Sequence, residues 1–221
     1  MRGEAKALAP LRVHARGYGI SLSDEQLERF AIYLRALMLW NEKFNLTGLR
    51  EPERVVTELF LDSLIPAPRI SPEGRLLDAG SGAGLPGLPL KILYPGLQLH
   101  LLEARAKRVS FLKEMVRLLG LTGVEVIRGR IERDLSTLPA DCYPWIAARA
   151  LAKFPQVVRW CAPLLCGGGI LVCYLGEHGV ESLEEGRREV ESTGLEPQEV
   201  IPYSLPGKTG RRNAVLLRKV W

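Results

Sequence analysis

The amino-acid sequence predicts an α/β fold: a mostly parallel sheet with helices on both faces, an antiparallel strand at its C-terminal end, and a helical extension in front. Three observations predict it. From Arg75 onward, short apolar strands alternate with amphipathic helices. A glycine-rich turn, Asp78 to Gly87, stands between the first of those strands and the next helix. Residues 1–70, by contrast, carry helical periodicity and no strand pattern. Two units are therefore expected: 1–70 as a helical segment packing on a core, and 71–221 as the core domain.

The elements follow in order. Ser23-Asp24-Glu25-Gln26 offers an N-cap with acids in the first turn. Leu27, Phe30, Ala31, Leu34, Leu37 and Met38 then recur on one face, predicting a helix to about Glu42. A second helix is predicted from about Glu51 to Leu64, with Pro52 at a first-turn position. Pro66, Pro68 and Pro72 mark a linker. Strands are predicted at Arg75 to Ala79, Gln98 to Leu102, Val124 to Arg128, Trp145 to Ala148 and Ile170 to Leu175. Helices between and after them are predicted at Pro86 to Leu93, Lys107 to Leu119, Phe154 to Leu165 and Val180 to Thr193. Glu196 to Tyr203 and Asn213 to Val220 read as two strands joined by a polar loop, a geometry that is normally antiparallel.

Bulk properties narrow the class of protein. A net charge of +5 permits a polyanionic partner without requiring one. No apolar run approaches the roughly 18 residues of a membrane span, and Met1 to Pro10 lacks the apolar core of an export signal. A cytoplasmic protein is expected. Cys142, Cys161, Cys166 and Cys173 form no CxxC pair, so four reduced, mostly buried thiols are expected, with no metal site.

The glycine-rich turn carries the chemistry. A strand-to-helix turn in a parallel sheet lies at the carboxyl ends of the strands, where open α/β folds bind ligands. Glycines supply positive φ and let a ligand approach the backbone. Glu103, roughly twenty residues further at the end of the next strand, can accept hydrogen bonds from the ribose hydroxyls of an adenosine ligand. Two cofactors compete. Gly82-x-Gly84-x-x-Gly87 fits a dinucleotide fingerprint, whereas Gly80-x-Gly82-x-Gly84 fits the turn that holds S-adenosylmethionine. Asp78 directly ahead of the glycines and the antiparallel C-terminal pair favour the second. So does the expected lack of a second domain for a hydride acceptor. Pro86 and Pro89 add to this, because they remove N–H groups that a pyrophosphate needs.

Further motifs stand in order along the chain: Asn45-Leu46-Thr47, Leu61-Asp62-Ser63-Leu64, the stretch Asp78 to Pro89, Lys107-Arg108-x-x-Phe111-Leu112, Arg130-Ile131-Glu132 and Arg149-Ala150-Leu151-Ala152. Together they resemble the RsmG family, also called GidB (glucose-inhibited division protein B), over about Asp24 to Trp221. The resemblance implies a Rossmann-like class I methyltransferase sheet. It also implies methyl transfer from S-adenosyl-L-methionine to N7 of a guanine in 16S ribosomal RNA. By the same resemblance Asp78, Gly80, Gly82, Gly84 and Leu85 belong to the cofactor turn, Glu103 sits beside the ribose, and Ile131 and Glu132 flank the adenine. Arg149 would stand near the methionine end, facing the target base, with Asn45 as a second catalytic candidate. The sequence departs from the family pattern at Leu59, where a His often stands, and at Leu175, where a Lys is common.

Attack by guanine N7 on a sulfonium methyl has no proton to remove, so alignment and electrostatics suffice and no acid/base pair is expected. Arg149 has two readings: it orients the methionine carboxylate or the RNA, or it forms a structural ion pair with Asp78 or Asp62. RNA contact needs positive charge. Candidates are Lys107 and Arg108, then Arg130 in the cluster with Arg128 and Arg133, and Lys208, Arg211 and Arg212 in the C-terminal loop. Trp40 is a candidate either for the core or, with Asp62, for placing the helices over the cleft. The expected partner is small-subunit ribosomal RNA or a ribosomal particle, met by a monomer with no membrane contact. Rival readings are a small-molecule methyltransferase, an NAD(P)-binding oxidoreductase, and a non-enzymatic RNA-binding protein.

Overall fold

The structure, a computed structural model, describes residues 2–70, 72–134, 138 and 142–221, with the backbone alone for residues 2–6. Seven strands form one sheet: β1 (Arg75–Ala79), β2 (Gln98–Glu103), β3 (Val124–Arg128), β4 (Tyr143–Arg149), β5 (Leu165–Gly176), β6 (Leu195–Ser204) and β7 (Arg211–Lys219). Their order is β3-β2-β1-β4-β5-β7-β6. β1 pairs in parallel with β2 and β4, as do β2 with β3 and β4 with β5. β7 inserts antiparallel between β5 and β6, as the C-terminal strand pair predicts.

The strands are apolar on both faces because both are covered. Leu76, Leu99, Leu101, Ala147 and Val172 face one core. Their neighbours Leu77, Leu102, Ile146, Ala148 and Leu171 face the other. The first face carries α6 (Gly87–Leu93) and α7 (Ala106–Leu118), and the second carries α8 (Phe154–Cys161). Phe30, Tyr33, Leu34 and Leu37 of α2 (Asp24–Phe44) join Leu88, Phe111 and Met115 in the first core, so the N-terminal helices share apolar packing with the sheet domain. Tyr33 stacks on Phe60 at 4.7 Å between ring centroids, and its hydroxyl donates to the Ala83 carbonyl inside the glycine turn.

The structure differs from the sequence reading in five places, one being that the helix predicted over 154–165 ends at Cys161 and β5 begins at Leu165 rather than Ile170. Residues 2–17 form a helix, α1 (Arg2–Gly17), around an internal Pro10. Ala7, Leu8, Leu11 and Ala15 are buried along it, a stripe that the proline disguises. The predicted helix over 51–64 is three pieces: α3 (Pro52–Val55), a π-helical turn (Val56–Leu61) and α4 (Asp62–Leu64). The proline linker contains one helical turn, α5 (Ala67–Ile70). The helix over 180–193 is broken into α9 (Gly179–Glu185) and α10 (Arg187–Ser192) at Gly186, where α8 comes so close that a Cβ would stand 2.6 Å from Phe154 Cδ1.

The cysteine expectation is corrected. Cys161 and Cys173 are free and buried, but Cys142 and Cys166 form a disulfide. Strand register is the cause: Tyr143 of β4 lies opposite Leu165 of β5, which brings the residues beside them together with Cα atoms 5.0 Å apart. Spacing along the sequence carries no sign of that register.

Candidate active site

The turn after β1 is organised by two buried carboxylates. Glu103, the last residue of β2, accepts from the Gly82 N–H at 2.9 Å and the Arg105 N–H at 2.7 Å. The Arg108 guanidinium lies 3.8 Å from the same carboxylate and donates to the Leu46 carbonyl at 3.4 Å. Glu103 is thereby fixed on three sides while the lone pairs of its two oxygens leave room for further donors. Asp78, one strand over, accepts from the Gly87 N–H at 3.0 Å through Oδ2, while its buried Oδ1 has no partner. Burial pushes the Asp78 carboxyl up to about 7; the Gly87 N–H and the Arg149 charge only partly offset that rise.

Two glycines are required by position. Gly80 has φ +75°, and a Cβ there would stand 2.6 Å from Leu151 Cδ1. Gly87 lies so close to β1 that a Cβ would stand 2.6 Å from Asp78 Oδ2. The N–H groups of Gly80 and Ser81 both donate to the Leu102 carbonyl, at 2.9 and 3.0 Å, which ties the turn to the end of β2.

A cavity of about 370 Å³ opens beside this turn. It brings together Gly80, Glu103, Arg108, Arg130, Ile131 and Glu132 from the sequence-predicted set. Asp78, Gly84 and Leu85 are buried and Gly82, which faces Arg108, is half-buried; these shape the cavity from behind without lining it. Trp160 and the pair Ala150-Leu151 also line the cavity, and the sequence reading missed them. Trp160 comes from α8, whose strong amphipathic stripe was legible although the side its indole faces was not. Ala150 has φ +50°, an unusual backbone for a residue with a Cβ, where the chain turns off the end of β4.

A second cavity of about 450 Å³ adjoins the first and shares Ala150 and Leu151 with it. Arg149 and Arg212 line this one. Arg149 is held by the helical segment: Nη2 lies 3.1 Å from Asp62 Oδ2 and donates to the Glu58 carbonyl at 2.7 Å, and Nη1 donates to Ser63 Oγ at 3.1 Å and the Leu59 carbonyl at 3.3 Å. Of the two readings for Arg149, the structure therefore contains the ion pair with Asp62. Leu59 takes part through its backbone, whatever its side chain. Asp62 is fully buried and also accepts from Arg212 Nη1 at 3.2 Å and the Tyr203 hydroxyl at 3.1 Å. Burial and the Asp62 charge raise the Tyr203 hydroxyl well above its ordinary range, so it remains a donor.

The remaining candidates are dispersed. Asn45 is the C-cap of α2 with φ +45°, exposed on the loop whose Leu46 carbonyl meets Arg108. Trp40 packs edge-on against Phe111 at 5.5 Å, beside the core. Lys107 lies over the Phe44 ring at 5.0 Å. Lys208 pairs with Glu58 at 3.0 Å, which pins the loop that sequence alone leaves free, and Arg211 is exposed at the start of β7.

The strand order with its antiparallel β7, and a carboxylate-edged crevice at the carboxyl ends of β1 and β2, define a Rossmann-like S-adenosylmethionine-dependent methyltransferase. Residues 26–210 match the family model GidB, rRNA small subunit methyltransferase G, and the chain belongs to that family. It is 36% identical over 208 residues to the ribosomal RNA small subunit methyltransferase G of Lachnoclostridium phytofermentans, covering 93% of this chain and 86% of the relative. It is 32% identical over 207 residues to the protein of the same name from Acetivibrio thermocellus, covering 93% and 85%. Among solved structures, a methyltransferase from Pyrococcus furiosus superposes with a TM-score of 0.61 at 13% identity, over 87% of this chain and 98% of that one. The glycopeptide N-methyltransferase MtfA complexed with sinefungin superposes with a TM-score of 0.57 at 10% identity, over 72% and 85%. These last two likenesses concern the fold. The relatives named here are methyltransferases, so the dinucleotide reading of Gly82-x-Gly84-x-x-Gly87 is not favoured.

Proposed function

We propose that the protein transfers the methyl group of S-adenosylmethionine to N7 of a guanine in 16S ribosomal RNA. The observation that carries this reading is the pair of cavities meeting at Ala150-Leu151, one edged by the buried Glu103 carboxylate and the other by cations. The residues fit the cofactor. Glu103 has acceptor capacity left for two ribose hydroxyls, Gly80 gives a backbone approach that a Cβ would close, and Ile131 and Glu132 stand on the same cavity for the adenine.

When bound, the sulfonium supplies an electrophilic methyl: the N7 lone pair forms the new C–N bond as the C–S electron pair returns to sulfur. The chain's part is alignment. Glu103 fixes the ribose, Gly80 lets the ligand approach the backbone, and Ala150-Leu151 divides donor from acceptor. Neither cavity lining contains a His among the described residues, which suits a reaction with no proton to move. Arg149 serves by holding the end of β4 against the N-terminal helices, and Asn45 by capping the loop that carries Leu46 toward Arg108.

For RNA, we assign Lys107, Arg108, Arg130 and Arg211 to phosphate contact. Lys208 and Arg212 first tie the C-terminal loop to Glu58 and Asp62. Residues 1–70 act as the segment that closes the crevice around a core of 71–221. The protein acts as a monomer in the cytoplasm, where its RNA substrate is; no helix among the described residues is long and apolar enough to cross a membrane.

The test is transfer of a labelled methyl group to small-subunit ribosomal particles lacking the modification, followed by mapping of the labelled base. Label on guanine N7 is expected. Label on another atom or on protein, or none, contradicts the reading.

A further inference from the structure

Another part of the molecule carries chemistry that methyl transfer does not use. At the amino ends of the strands, opposite the glycine turn, a cavity is lined by Gly74, Arg75, Gln98, Cys142, Pro144 and Cys166. Its volume of about 470 Å³ is one that holds a small organic ligand. The Cys142–Cys166 disulfide therefore faces a cavity and not the core. Both cysteines are half-buried, and Gly167 and Gly168 beside Cys166 are exposed. Cys161 and Cys173 are the opposite case: both are buried, and burial pushes the Cys161 thiol up to about 12, which leaves it protonated and inert.

Arg75 supplies the charge of this lining. It is exposed at the start of β1 and meets no acid among the described residues. Its field reaches Tyr143, the residue after Cys142, where it counters the rise that burial gives the hydroxyl. Glu125, which acts the other way there, lies on β3 outside the lining, its carboxylate 4.0 Å from His100 Nε2. Sheet order fixes the line of approach. β4 stands between β1 and β5, so Cys142 stands between Arg75 and Cys166. A thiolate held beside Arg75 thus faces the Cys142 sulfur with Cys166 behind it as the leaving group.

We propose that this cavity is a thiol–disulfide exchange site for a small thiol that carries a carboxylate. Arg75 takes the carboxylate, and the thiolate attacks Cys142 Sγ. The new S–S bond joins the small thiol to Cys142 as the Cys142–Cys166 bond breaks and its electron pair leaves on Cys166 as thiolate. A second small thiolate attacks the sulfur of the first, which forms the small-molecule disulfide and releases Cys142 as thiolate. Both cysteine thiolates take protons from water. A pair of small thiols is oxidised and one protein disulfide is reduced, so the electrons balance. No step depends on the methyl-transfer reading.

The experiment exposes the oxidised protein to reduced glutathione, a net anion through its carboxylates, or to cysteamine, whose amine is a cation. Products are trapped by rapid alkylation and mapped by peptide mass. Each rate is divided by that of the same thiol on oxidised mercaptoethanol, which removes intrinsic reactivity. On that scale wild type should react with glutathione about fivefold faster than with cysteamine, or more. The first glutathione should sit on Cys142 with Cys166 alkylated, and none on Cys161 or Cys173. Arg75→Gln should lose most of the preference and Arg75→Lys should keep it. Equal scaled rates for the two thiols in wild type would overturn the proposal. So would an unchanged preference in Arg75→Gln, a first glutathione on Cys166, or a disulfide that reacts with neither thiol.

Discussion

Glu103 and Asp78 are buried carboxylates one strand apart, and their partners give them different behaviour. Glu103 receives two backbone N–H groups and a nearby guanidinium, so its charge is compensated; Asp78 receives one N–H and leaves Oδ1 without a partner. The native Asp78 carboxyl, pushed up to about 7 from an ordinary 3.8, holds its proton where the unfolded chain has released it. Between pH 4 and 7 the native state therefore binds more protons, and this group makes stability fall as pH rises, levelling off above about 7. The stability of wild type minus that of Asp78→Asn, both without cofactor, should decline over that window in denaturant melts; a difference independent of pH contradicts this. Glu103 was legible in the sequence because strand length and turn length fix its distance from the glycines. The partner of Arg149 was narrowed to Asp78 or Asp62 and no further, because the choice depends on how residues 58–63 pack against the end of β4.

Among the elements, those with local causes were legible and those with distant causes were not. Ser23 and Gln26 form the reciprocal cap of α2 that their spacing predicts, at 3.2 and 2.9 Å. The π-helical turn Val56–Leu61 had no sequence signal; its Glu58 and Leu59 carbonyls accept from Arg149, about ninety residues away. The disulfide follows from the parallel register of β4 and β5. It closes a loop of sequence separation 24, which limits the unfolded chain and contributes about 3 kcal/mol. Cys142→Ser with Cys166→Ser should lower unfolding free energy by about that amount in non-reducing urea melts. Reductant should bring wild type down to the variant and leave the variant unmoved. Equal stability with and without reductant contradicts the contribution.

At the scale of the whole molecule, Asp62 joins parts that the chain separates widely. It connects the helical segment to β4 through Arg149, to β6 through Tyr203 and to β7 through Arg212. A buried carboxylate shared by two guanidiniums is costly to break from one side, because the partners then stay buried without compensation. Asp62→Ala should cost about 3–5 kcal/mol in urea melts, more than a surface acid by a wide margin. A loss below about 1 kcal/mol would mean that the N-terminal helices dock by apolar packing alone. The α/β alternation, the glycine turn and the antiparallel strand pair were legible because periodicity and turn chemistry write them locally. The second cavity was not, since Arg149, Lys153, Tyr174 and Arg212 meet only once β4, β5 and β7 are in register.

The central claim is that the crevice between the glycine turn and Glu103 holds S-adenosylmethionine, and calorimetric titration tests it most directly. Wild type should bind the donor at one site per chain, and Glu103→Ala should bind it at least about tenfold more weakly, the loss of charge-assisted hydrogen bonds to the ribose. Equal affinity in the two proteins, with the variant folded, would contradict the account.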